Sequence, residues 1–259
     1  MTRSRLPEFS AGAALVIGGS GGIGSAICRA LAQAGSDVAL TYHRQAEAAA
    51  DIVNELRAVG REALALPADL TDPASVQRAV GESIDRFGFL HSVIYAAGPP
   101  IEYRYIHEIS GREWARVINA DVNGCFNVVE ATLPHLRKLK SGSFLAVITA
   151  AVDRAPPRDI LSAAPKAAIE MLIKGIAREE GRNGIRANCV GPGYIEAGLG
   201  ISTVHAHTQD FVDKMIRAIP LKRAGRAEDV ADVAVFLLSD KARYVTGVSI
   251  PVAGGLQLA

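Results

Sequence analysis

Cysteine, long apolar runs and net charge are all scarce in this chain, and each scarcity closes a class of function. Cys28, Cys125 and Cys189 are the only three cysteines. No CxxC or Cys/His spacing joins them, so neither a zinc site nor a disulfide framework is encoded. The six histidines (His43, His91, His107, His135, His205 and His207) show no ligand spacing either, and no metal is expected. The formal net charge is +1, with Lys and Arg interspersed among Asp and Glu. Nothing resembles the basic stripe that binding a phosphate backbone requires, so nucleic acid is not an expected partner. No apolar run approaches the roughly eighteen residues needed to cross a bilayer, and Met1 to Ser10 has no apolar stretch of signal-peptide length. The expectation is a protein of the reducing cytoplasm with a flexible leader over 1–10 and no membrane partner.

What the chain has in quantity is apolar residues, 49% of 259, and 25 glycines spread along its length. No repeat or linker divides it, and short apolar strands alternate with longer amphipathic stretches, the pattern of βαβ units around a parallel sheet. Strands are expected near Ala13–Ile17, Asp37–Thr41, Glu62–Leu66, Phe89–Tyr95, Ser143–Thr149, Arg186–Val190 and Val248–Val252. Helices are expected over Ile23–Ala34, Pro73–Phe87, Arg112–Leu139 and Ala163–Gly181. Gly35 offers the left-handed cap of the first, and Asp72-Pro73 the N-cap and first turn of the second. The fold class is thus α/β, one doubly wound Rossmann-type domain of seven parallel strands over 11–259. Between 196 and 224 the pattern weakens around Gly198, Gly200, His205 and His207 before a short helix at Asp210–Ala218. Such an insertion after a strand's C-terminal end falls where ligands bind, which suggests a lid.

The strand Ala13–Ile17 runs straight into Gly18-Gly-Ser-Gly-Gly-Ile-Gly24 and then into a helix. Gly18, Gly22 and Gly24 permit a tight turn, close backbone approach and close helix–strand packing. With Ser20 and Ile23 they predict a pyrophosphate on the helix N-terminus. Just past the second strand, where an Asp or Glu would hold a ribose 2′-hydroxyl, stands Thr41-Tyr-His-Arg44. The missing acid removes repulsion, and His43 and Arg44 offer donors to a 2′-phosphate, so the expected cofactor is NADP(H).

In order along the chain, the glycine loop, Asp69-Leu70, Ala96-Ala97-Gly98, Asp121-Val-Asn-Gly124, Lys166-Ala-Ala168, Asn188-Cys-Val-Gly-Pro-Gly193 and Tyr244-Val-Thr-Gly247 resemble the short-chain dehydrogenase/reductase family. The resemblance implies adenine contact at Asp69 and Leu70, further nucleotide contact at Ala97 and Gly98, and nicotinamide contact around Pro192, Gly193 and Ile195. It also implies a homodimer or homotetramer. Family catalysis uses a Tyr four residues before a Lys, a Ser at the fifth strand's end and an Asn in the preceding long helix. Here Lys166 is present, but its i−4 partner is Ser162, the strand-end position falls on Thr149 or Ala150, and Asp121 replaces the Asn. Ile148-Thr-Ala150, the stretch from Asp121 to Val128 and Ser162 to Met171 look like the 2,4-dienoyl-CoA reductases. In peroxisomal-type members of that branch, the proton is thought to come from water held by Asp and Lys.

Chemistry points the same way. Hydride addition to a ketone makes a strongly basic alkoxide that profits from a positioned acid. Addition to an unsaturated thioester makes a delocalised enolate, which fixed donors can stabilise while water supplies the proton. The sequence therefore predicts an NADP(H)-dependent reductase of a conjugated, activated double bond, with a small-molecule or acyl-thioester substrate and Lys166, Asp121, Thr149 and Ser162 at the catalytic positions. Alternatives are a carbonyl reductase with a relocated acid such as Tyr194, and a non-redox cyclase, isomerase or nucleotide-binding pseudo-reductase in which Asp121 and Lys166 are only a structural ion pair. Asp159, seven residues before Lys166, is read as a loop cap.

Overall fold

The computed structural model describes residue 9, residues 11–198 and residues 209–258. Phe9 apart, the expected leader lies outside them, as does the middle of the expected lid with Gly200, His205 and His207. Seven parallel strands form one sheet: β1 (Ala13–Ile17), β2 (Asp37–Tyr42), β3 (Ala63–Pro67), β4 (Leu90–Tyr95), β5 (Gly142–Val147), β6 (Ile185–Pro192) and β7 (Ser249–Val252). Their order is β3-β2-β1-β4-β5-β6-β7. The chain reverses its winding between β1 and β4, and a crevice opens there at the carboxyl ends of the strands.

Because both faces are covered, the central strands read as continuous apolar runs: all five residues of β1 are buried. One face carries α1 (Gly22–Gln33), α2 (Ala46–Ala58) and α9 (Ala227–Leu238), packed through Ile27, Leu31, Ile52, Val230 and Leu237. The other carries α3 (Pro73–Phe87), α5 (Gly124–Leu139) and α7 (Ile160–Glu180), packed through Val76, Val128, Leu136, Ile169 and Ile173. Two shorter helices, α4 (Gly111–Ile118) and α6 (Ala151–Arg154), follow β4 and β5, and α8 (Gln209–Ala218) follows β6. The expected caps are in place: Gly35 has φ 95°, and the Asp72 side chain accepts from Ala74 N ahead of Pro73.

Most strand ends shift by one or two residues from expectation, and three differences bear on the catalytic positions. The helix expected over Arg112–Leu139 is α4 and α5 joined by a π turn at Asn119–Asn123. Helix α7 begins at Ile160 rather than Ala163 and carries Pro165 inside it. The true start lies one turn earlier than expected. As a result Lys166 sits in the second turn, not the first. Strand β5 stops at Val147, so Thr149 lies beyond it on the following loop.

Candidate active site

The residues expected to touch a nucleotide lie at or beyond the carboxyl ends of strands, with Gly22, Ile23 and Gly24 in the first turn of α1. Gly18 has φ 76°, which an L side chain rarely adopts, and its N–H donates to the buried Thr41 hydroxyl at 3.0 Å. This hydrogen bond ties the loop after β1 to β2. A Cβ on Gly24 would stand 2.3 Å from the Gly18 carbonyl oxygen, so only glycine lets α1 pack this close. Helix α1 starts at Gly22 with Gly21 as N-cap, with no side-chain cap and no acidic residue in its first turn. Its leading N–H groups and positive dipole end thus remain available to an anion. A pyrophosphate fits this cradle. The chain after β6 crosses nearby, since a Cβ on Gly22 would meet Gly198 N at 2.5 Å.

Around this loop the structure places His43 and Arg44 exposed past β2, and Asp69 and Leu70 past β3. Asp69 Oδ1 accepts from Thr71 N and Oγ1 at 2.9 and 2.7 Å, and these two hydrogen bonds hold its carboxyl below the usual range. Ala97 and Gly98 follow β4, while Pro192 ends β6 and Gly193 and Ile195 follow it. Gly193 N donates to Val252 O, and Ile195 bridges to Gly225, so this segment is fixed by backbone bonds.

Two of the four expected catalytic positions, Lys166 and Asp121, meet in one buried network. Lys166 Nζ donates to Asp121 Oδ1 at 2.8 Å and to the Ala97 carbonyl at 2.9 Å. The side chains are 12% and 4% exposed. Tyr95, fully buried at the end of β4, donates its hydroxyl to Asp121 O and Oδ1 at 2.9 and 3.2 Å, and its ring lies 5.3 Å below the ammonium. Burial, followed by the Asp121 charge, pushes the Tyr95 phenol well above its usual range, so it serves as a neutral donor. Asp121 occupies the π turn, whose extra residue sets its carboxylate toward α7. Nothing in the sequence marks that turn, and Tyr95, a candidate proton donor from its place in the sequence, is packed in the core with its hydroxyl committed to Asp121.

Two expected catalytic positions stand apart from the network. Thr149 Oγ1 accepts from Ala151 N at 3.2 Å at the head of α6, and Ser162, one turn before Lys166 on α7, is half-buried. Asp159 precedes α7 as its N-cap residue, yet its side chain makes no capping bond, contrary to the cap reading. Its Oδ1 is buried without a partner, and burial pushes the carboxyl up to about 7. The Tyr194 hydroxyl is likewise buried and unpartnered, and burial raises its pKa. The three cysteines are free and buried, their thiols pushed up to about 12, which makes them poor nucleophiles. Among the described residues there is no His/Cys/Asp/Glu cluster suited to a metal and no helix long and apolar enough to cross a membrane.

A doubly wound parallel sheet with an uncapped glycine-loop helix at its carboxyl edge defines a dinucleotide-binding protein. Comparison with known proteins narrows this. A family model described as Enoyl-(Acyl carrier protein) reductase matches residues 18–257. The chain is 33% identical over 245 residues to the 3-oxoacyl-(acyl-carrier-protein) reductase FabG of Staphylococcus epidermidis, covering 95% of this chain and 98% of that protein. A short-chain type dehydrogenase/reductase from Mycobacterium ulcerans superposes with a TM-score of 0.90 at 30% identity, over 97% of this chain and 91% of that one. A blue fluorescent protein from a metagenomic library, solved in complex with NADPH, gives a TM-score of 0.86 at 31% identity, over 96% and 99%. The chain belongs to the short-chain dehydrogenase/reductase family of NAD(P)-dependent oxidoreductases.

Proposed function

We propose that this chain uses NADPH to reduce a double bond conjugated to the carbonyl of an acyl thioester or enone, with water held at Asp121 and Lys166 as the proton source. The observation that carries the reading is the company Lys166 keeps. Its ammonium is bonded to a carboxylate and a backbone carbonyl, and the helix position one turn earlier holds Ser162 instead of a phenol. Such a lysine has no side-chain acid to activate for an alkoxide. It still presents a fixed positive charge, with one N–H beyond those two bonds, to an enolate. Asp121 keeps lone pairs beyond those engaged by Lys166 and Tyr95, enough to orient a water. The bound nicotinamide supplies hydride. Gly18, Gly22 and Gly24 would admit its pyrophosphate, and Arg44 and His43 would hold the 2′-phosphate. In this scheme Lys166 also holds the nicotinamide ribose, and the 3-oxoacyl and enoyl names of similar proteins support an acyl thioester as the substrate class.

A second reading, carbonyl reduction, has its own observation. The buried, unpartnered Tyr194 hydroxyl is a donor in want of an acceptor, and the similar FabG protein is named for a 3-oxoacyl substrate. Steady-state NADPH oxidation separates the readings. Turnover with crotonyl thioester and little with acetoacetyl thioester is expected. The reverse preference, abolished by Tyr194→Phe, assigns carbonyl reduction. Nucleotide binding with turnover of neither assigns a non-redox role.

A further inference from the structure

The sheet has a second opening at its other edge. Strand register pairs Ser92 of β4 with Ser143 of β5, and Ser143 with Arg186 of β6. Residues in register on parallel strands point to the same face, so these three make a polar row across the middle of the sheet. Ile94, Leu145, Val147 and Val190, further along the same strands, lie in the core beneath α1 and α9, which identifies the face. The row stands at the amino ends of the strands, opposite the nucleotide crevice, and lines a cleft of about 560 Å³. That volume lies within the range of small-ligand sites.

Two features of the cleft ask for a ligand. The Ser143 hydroxyl is buried, belongs to a residue only 3% exposed, and has no hydrogen-bond partner. Such a group costs stability unless something satisfies it. Arg186, half-buried, gives its terminal nitrogens to the carbonyls of Leu237, Leu238, Ser239 and Val245 at the end of α9 and beyond. These carbonyls satisfy its N–H groups but carry no formal charge to offset the guanidinium. Arg243 and Asp240 also line the cleft, and the latter is the acid that acts on Arg186. His91, bonded to Ser36 and Ser92, is held uncharged at neutral pH because burial lowers its pKa to about 4. The ionised lining is therefore two cations and one anion, one positive charge in excess. Phe9, Ile185, Leu238 and Val245 supply an apolar wall.

We propose that this cleft binds a monocarboxylate with a short apolar tail, its carboxylate meeting Ser143 and the Arg243 guanidinium in the field of the Arg186 charge and its tail lying against Phe9, Ile185 and Leu238. A single excess charge favours a carboxylate over a dianion such as phosphate, and the apolar wall favours a tail over a bare ion. The site is independent of the proposed reaction, since the catalytic network lies at the opposite edge of the sheet.

The test is calorimetric titration and thermal unfolding of the full chain with hexanoate, hexanol and inorganic phosphate. Hexanoate is expected to bind saturably and raise the Tm. Arg243→Gln and Ser143→Ala are each expected to weaken it by about tenfold, the loss of a hydrogen bond to a charged group, while Lys166→Ala leaves it unchanged. NADPH affinity should be the same in both cleft variants as in the parent. No saturable binding, or binding retained in both cleft variants, overturns the proposal. So does binding lost instead in Lys166→Ala, or a phosphate or hexanol shift equal to that of hexanoate.

Discussion

Replacing Asp121 by Asn tests how tightly the buried network is coupled. Asp121 and Lys166 sit 2.8 Å apart with side chains 4% and 12% exposed. Breaking such a pair by removing one partner typically costs about 3–5 kcal/mol, because the other charge stays buried alone. Lys166 would keep the Ala97 carbonyl and gain at most an amide oxygen, which places Asp121→Asn near the lower end, about 3 kcal/mol. For a domain of this size that is a fall in Tm of roughly 6–12 °C. Lys166→Met should cost somewhat less, since the Asp121 carboxylate retains the Tyr95 hydroxyl. The double variant should then lose less than the two single losses combined, with a coupling of about 1–3 kcal/mol. Urea denaturation at neutral pH measures all three. A loss below about 0.5 kcal/mol in Asp121→Asn, or strict additivity, would refute the reasoning by showing two independently solvated charges.

Arg44→Ala should remove most of a preference for NADPH over NADH, on the order of 1.5–3 kcal/mol in binding free energy by fluorescence titration; equal affinities in the parent would contradict it. Ser162→Ala should keep turnover within about tenfold, because a hydroxyl without an adjacent base is too weak an acid, and a loss of several hundredfold would restore a serine relay. For Asp159, the folded carboxyl holds its proton to about pH 7, whereas the unfolded one releases it near 4. The native state therefore binds more protons across that window, and this group's contribution falls as pH rises from about 4 to 7. Asp159→Asn should accordingly be more stable than the parent at pH 8, by about 1–2 kcal/mol once partial exposure is discounted, and equal to it near pH 4. Thermal unfolding across that range checks the sign.

The nucleotide end of this molecule is legible in the sequence because its constraints are local. A positive φ at Gly18 and the contact of Gly24 with the Gly18 carbonyl demand glycine at fixed spacing between a strand and a helix. The alternation of apolar runs with amphipathic stretches likewise carries the seven strands. The catalytic end is less legible because it is assembled from distant pieces. Tyr95 comes from β4, Asp121 from a π turn and Lys166 from α7, and no sequence period announces a turn with i→i+5 bonding. The start of α7 lies before Pro165, a residue that disfavours a helix interior and here sits there with its ring buried. Asp159 reads as a cap from its neighbours, but the carboxylate orientation that decides this is a side-chain rotamer outside the reach of sequence pattern.

The central claim is that Asp121 and Lys166 deliver a proton from water to an enolate, and single-turnover kinetics of NADPH oxidation with crotonyl thioester test it most directly. Asp121→Asn should slow turnover by about 10² or more while NADPH affinity changes little, since a group acting only in the transition state leaves ground-state binding alone. Lys166→Ala should harm both affinity and rate. An Asp121→Asn enzyme as fast as the parent would contradict the account and leave Asp121 and Lys166 as a structural ion pair.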